Sequence, residues 1–148
     1  MRKIEYIFID SDRPSDDHQS GHYDVPSFRY HFIVTSEGIV INTTEILYPV
    51  SLIQGPIYDR DKYNKCSICI RYCGSIRPEA WILEPETSCF ATQRQQAALL
   101  QLLVSLRKHF PDAKILGLSE FDGRELYHKN IIVNDAMNVL RSLLSDLP

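Results

Sequence analysis

The strongest constraint in this chain is a stripe of leucines. Leu99, Leu102, Leu103, Leu106 and Phe110 recur at the 3.6-residue period of an α-helix. A helix that is apolar on one side must lie on another apolar layer. Thr92 and Gln95 stand where a capping box places its N-cap and N3 residues, and Pro111 ends the run, so the expected helix spans residues 92–109. A second helical pattern opens at Asn134 and sets Ala136, Val139, Leu140, Leu143, Leu144 and Leu147 on its inner face.

The layer beneath is legible as strands. Residues 3–9 are almost wholly apolar, which suits a central strand covered on both faces. Residues 28–35 and 39–42 flank Ser36-Glu37-Gly38 and read as a hairpin. Residues 66–73 alternate apolar and polar side chains, and Gly74 is the expected end of that strand. Residues 114–118 form a short buried strand. Residues 11–27, 43–65 and 77–91 carry the prolines and polar runs of connections. The expected fold is a single α/β domain over residues 1–148, with a central mixed sheet of about five strands flanked by helices.

Composition narrows the function classes. Sixteen Lys and Arg against nineteen Asp and Glu give a net charge of −3 over 148 residues, so a phosphate-binding, nucleic-acid partner is not expected. No apolar run approaches the roughly 20 residues of a membrane span. Met1-Arg2-Lys3 leads into only a short apolar stretch, with no small-residue cleavage site behind it. The expectation is a chain made and left in the cytoplasm, reaching a cell wall only through lysis or export.

The cysteines invite a metal reading, since Cys66, Cys69 and Cys73 are spaced C-x2-C-x3-C. On a strand, however, Cys66 faces away from the other two, and Cys69 and Cys73 stand roughly 13 Å apart. Buried, reduced thiols are expected instead. His18 and His22 have a helical metal-grip spacing, but Gly21 and the polar residues around them oppose a helix. His109 ends the leucine helix, where an imidazolium suits the dipole. Tyr30 and His31 are expected on opposite faces of one strand.

Four stretches in order resemble one family. Ile7-Phe8-Ile9-Asp10-Ser11 is similar to a first central strand. Tyr30-His31-Phe32-Ile33-Val34 with Glu37-Gly38 is similar to a G-Y-H-F-I-I…D-G hairpin. Tyr63-Asn64-Lys65-Cys66-Ser67-Ile68-Cys69-Ile70, ending at Gly74, is similar to a Y-N-x-x-S-I-G-V…G strand. Residues 92–117 are similar to a T-x-x-Q…L…L…L…F-P-x-A-x-I-x-G helix and strand. These are motifs of the zinc-dependent N-acetylmuramoyl-L-alanine amidases, which include phage endolysins and peptidoglycan-recognition proteins.

The resemblance implies three zinc ligands: two His and one Cys or Asp. At those places this chain has Asp10, Leu118 in Gly117-Leu118-Ser119-Glu120, and Asn130 in Asn130-Ile131-Ile132-Val133-Asn134. A leucine cannot ligate and a neutral amide ligates poorly. The family's catalytic tyrosine is kept as Tyr30, and a groove histidine aligns with Asp59. The helix between the first strand and the hairpin is shortened or missing.

The resemblance therefore implies a non-hydrolytic relative without bound zinc or another cofactor. Tyr30 would be vestigial, and Asp10, Asp59, Asn64, Leu118, Glu120, His128 and Asn130 would line a site for a peptidoglycan fragment or a protein partner. An active amidase with a rebuilt site, using Asp10 with His18, His22 or His128, is the first alternative. An intracellular interaction or regulatory protein is the second, with Tyr48, Tyr58 and Tyr63 as exposed contact residues suited to protein or sugar.

Overall fold

A computed structural model of the chain describes residues 2–12, 29–51, 60–75, 90–118, 138 and 140–145. The elements are β1 (Tyr6–Asp12), β2 (Phe32–Val34), β3 (Val40–Asn42), α1 (Arg60–Lys65), β4 (Ser67–Ser75), α2 (Phe90–His109) and β5 (Lys114–Gly117). Residues 140–145 are helical as well.

The strands form one five-stranded mixed sheet in the order β3-β2-β4-β1-β5. β1 runs parallel to β4 and to β5, β2 parallel to β4, and β2 antiparallel to β3. The expected mixed α/β architecture is thus the observed one. β1 lies between two parallel neighbours, which explains why its sequence is apolar on both sides. Ile7, Phe8 and Ile9 are all fully buried.

Alternation along the strands sorts side chains into two cores. Ile7 and Ile9 of β1, Ile68, Ile70 and Tyr72 of β4, and Phe32 and Val34 of β2 face Leu99, Leu103 and Leu106 of α2 together with Leu140 and Leu144. Phe8, Cys69, Cys73, Ile33, Val50 and Tyr30 form the other core, joined at its margin by Tyr6, Tyr63, Leu116 and Leu118. The Tyr6 ring stacks on Phe8 and meets Tyr63 edge-on. Tyr63 is thereby half-buried rather than an exposed contact residue, whereas Tyr48 is exposed. Tyr58 lies outside the described residues.

Several boundaries differ from the expected ones. α1 falls inside a segment expected to be irregular. Its six residues, Arg-Asp-Lys-Tyr-Asn-Lys, are too few and too polar to show a helical period. α2 begins at Phe90, so Thr92 lies within its first turn and is not the N-cap. Gln95 is not part of a capping box either. Its buried amide donates to Cys73 O at 2.5 Å and more weakly to Val34 O at 3.4 Å, tying α2 to the ends of β4 and β2.

β4 passes through Gly74 to Ser75, and Cys66 sits in the turn before it, its Sγ near Tyr63 O. β1 continues through Ser11 and Asp12, with a register shift between them, where a loop was expected. The hairpin turn is as expected. Gly38 there has φ 84°, and a Cβ on it would come within 2.9 Å of the Arg94 backbone. Asn134, Ala136, Val139 and Leu147 of the last helical pattern lie outside the described residues.

Candidate functional site

Asp10 and Arg71 are register partners on the parallel strands β1 and β4. Both follow the alternation that buries Phe8 and Cys69, so their side chains share the face opposite α2. Asp10 lies in the carboxyl half of β1 and Arg71 at the middle of β4. Arg71 Nη1 lies 3.5 Å from Asp10 Oδ2, with the two side chains 11% and 23% exposed. The pair is sheltered yet reachable from solvent.

Tyr30 completes the cluster. Its hydroxyl donates to the same Asp10 Oδ2 at 2.5 Å. Burial, followed by the Asp10 charge and hydrogen bond, raises the phenol well above its ordinary pKa, and the Arg71 and Arg29 charges offset only part of this. The tyrosine is therefore a fixed neutral donor. One carboxylate oxygen thus receives a short, charge-assisted phenol hydrogen bond and the longer ion pair of a guanidinium.

Leu118 follows β5 directly, one residue past Gly117, which pairs with Ile9 at the end of the ladder. It packs against the Phe8 and Cys69 core. The structure therefore brings Asp10 and Tyr30 together and sets Leu118 on the same core as Tyr30. Asn64 is elsewhere. It is buried in α1 ahead of β4, where its carbonyl accepts from Arg2. Asp59, Glu120, His128 and Asn130 lie outside the described residues, as do His18 and His22. Among the described residues no three His, Cys, Asp or Glu side chains gather to hold a metal.

Tyr30 and His31 do not sit on one strand as expected. The chain bends at His31, ahead of β2. Tyr30 turns to Asp10, while the buried His31 ring accepts from Cys69 N–H at Nδ1, 3.0 Å. Its proton consequently resides on Nε2, which lies 2.7 Å from Tyr48 O and 3.0 Å from Arg2 Nη2. Burial lowers His31 to a pKa of about 4; the Arg2 charge lowers it too, and the bond to Tyr48 only partly opposes them. Arg2 also donates to Ile46 O and Lys65 O, closing this corner of the sheet.

Sequence reasoning missed Arg71. The signal was present, because a lone charge between Ile70 and Tyr72 in a buried strand requires a partner. Its parity with Cys69 and Cys73 sets it on one face, and the parallel register supplies Asp10.

Cys66, Cys69 and Cys73 are not in disulfides; Cys69 and Cys73 are buried and Cys66 is partly buried. Burial pushes the Cys69 thiol up to about 12, with Ser67 and Arg2 offsetting only part of it. These are packing cysteines, in line with the sequence reading. Cys89 lies outside the described residues. No helix among the described residues is long and apolar enough to cross a membrane.

No family model matches the sequence, and no curated protein matches it. A solved structure does: the Ph2119 endolysin from Thermus scotoductus MAT2119 bacteriophage Ph2119, with a TM-score of 0.55 and 17% identity over 92% of this chain and 86% of that one. The fold is endolysin-like. At this identity the likeness is one of architecture. The site's chemistry is argued from its own residues.

Proposed function

We propose that this chain is an amidase-like, peptidoglycan-directed domain that binds a muropeptide without hydrolysing it. The endolysin-like fold supports a cell-wall ligand, and the ordered motifs of the sequence support the amidase family in particular. One observation carries the non-hydrolytic part. Asp10, at the place of the family's first zinc ligand, has its Oδ2 engaged by both Tyr30 and Arg71.

Zinc does not fit this donor set. A catalytic zinc takes three protein ligands and keeps one position open. Leu118 has no lone pair to give. A dication beside Asp10 would also stand against the Arg71 guanidinium, with like charges a few ångströms apart in a sheltered site. The rebuilt alternative would have to ligate through Asp10 Oδ1, with Oδ2 already held by Tyr30 and the Arg71 charge close by.

The same cluster suits recognition. A muropeptide stem carries amides and carboxylates. Arg71 supplies fixed donors, and Asp10 supplies an acceptor held in place by Tyr30. Binding at this surface needs no bond-breaking chemistry.

The test is metal content. The purified protein is dialysed against trace zinc and analysed for bound metal. The expected result is far less than one zinc per chain. Near-stoichiometric zinc, lost when Asp10 is changed to Ala, would overturn the reading and restore the metal-dependent amidase.

A further inference from the structure

The free edge of β3 carries an inference separate from the Asp10 site and independent of the proposed function. Among the described residues β3 ends the sheet, with β2 on one side only. The ladder residues are Phe32 with Asn42, Ile33 with Ile41 and Val34 with Val40. Thr43 N donates to His31 O and Thr35 N to Ile39 O. In an antiparallel pair these bonds recur at every second residue. Ile39, Ile41 and Thr43 therefore bond inward to β2, and the backbone N–H and C=O of Val40 and Asn42 point outward.

β3 is only three residues long, which itself limits strand addition, but it carries none of the chemical blocks. It has no Lys, no Pro and no bulge. Its side chains are apolar and open to solvent: Ile39 is 54% exposed, Ile41 44% and Val40 39%. At its two ends stand the exposed carboxylates Glu37 and Glu45.

We propose that this edge docks an extended segment of a partner protein, apolar at alternate positions and basic at both ends. The segment adds as a sixth strand, pairing with the Val40 and Asn42 amides. Charge complementarity selects this occupant over a second copy of the chain. Antiparallel self-pairing through Val40 and Asn42 centres on Ile41, which sets Glu37 of one copy opposite Glu45 of the other. Parallel self-pairing aligns Glu37 with Glu37. Both meet like charge, whereas a segment flanked by Lys or Arg meets attraction at each end.

The test selects from a phage-displayed library of random dodecapeptides against the full chain. Enriched sequences are synthesised and titrated by fluorescence anisotropy. The expected winners alternate β-branched or aromatic residues between flanking Lys or Arg. Val40→Pro removes an outward N–H that β2 does not use, so it is expected to fold and to weaken these peptides by about tenfold or more. Glu37→Lys with Glu45→Lys weakens them as well, and peptide binding shifts the backbone amide resonances of Val40 and Asn42. If Val40→Pro does not fold, the charge reversal and the amide shifts carry the test. Winners without that pattern, or with amide shifts confined to other strands, would overturn the proposal. So would a wild-type dimer in sedimentation that Val40→Pro or the amide shifts trace to β3, since that assigns the edge to a second copy.

Discussion

Tyr30 and Arg71 converge on a single oxygen of Asp10, the phenol at 2.5 Å and the guanidinium at 3.5 Å. Each comes from a different segment, and β1 and β4 fix the register that lets them meet. Removing Asp10 therefore leaves a sheltered guanidinium without its carboxylate. Breaking one side of such a pair costs more than the pair contributes. Asp10→Asn is expected to lower stability by about 2–3 kcal/mol, read as a lower denaturation midpoint. Asp10→Asn combined with Arg71→Met is expected to recover part of that loss, and additive losses would contradict the coupling.

The Tyr30 phenol is expected to resist ionisation while the protein is folded. Its pKa is raised by burial and by Asp10. An ultraviolet titration should leave a fraction of tyrosine absorbance unconverted until the alkaline unfolding step. Tyr30→Phe should remove that fraction and cost about 1–2 kcal/mol, the scale of a hydrogen bond to a charged acceptor.

His31 gives the fold an acid limit. It is neutral when folded, with a pKa of about 4 against 6.5 for a free imidazole. Between those values the unfolded chain binds the proton that the folded chain refuses. Stability from this group is complete above pH 6.5 and falls as pH drops toward 4, by about 3 kcal/mol at most. Chemical denaturation from pH 7 to pH 4 measures it, and His31→Gln should flatten the slope. An unchanged slope in the variant would assign the effect to other groups.

The architecture was readable because alternation and helical period are strong signals in β1, β4 and α2. The site was readable only by half. Asp10 and Tyr30 were visible only through the motifs they share with the family. Arg71 was overlooked because its meaning depends on the β1–β4 register, a tertiary relationship that no local pattern contains. α1 was hidden by its shortness. Gln95 suggested a helix cap when its actual role is to reach carbonyls on two strands.

Gln95 offers a check on that tertiary role. A capping residue can be replaced at modest cost, whereas a buried amide that meets strand carbonyls cannot. Gln95→Leu is expected to destabilise by about 1–3 kcal/mol, because Cys73 O loses its donor from α2. Amide exchange at the ends of β2 and β4 should quicken in the same variant. Protection unchanged there would contradict the link.

The most direct measurement is a nuclear magnetic resonance titration of the isotope-labelled protein with N-acetylmuramoyl-L-alanyl-D-isoglutamine in zinc-containing buffer. It reads binding and cleavage together. The account predicts saturable shifts centred on Asp10, Tyr30 and Arg71, with the ligand's lactyl-alanine amide intact after prolonged incubation. Time-dependent loss of that amide, or a spectrum unmoved by ligand, would contradict it.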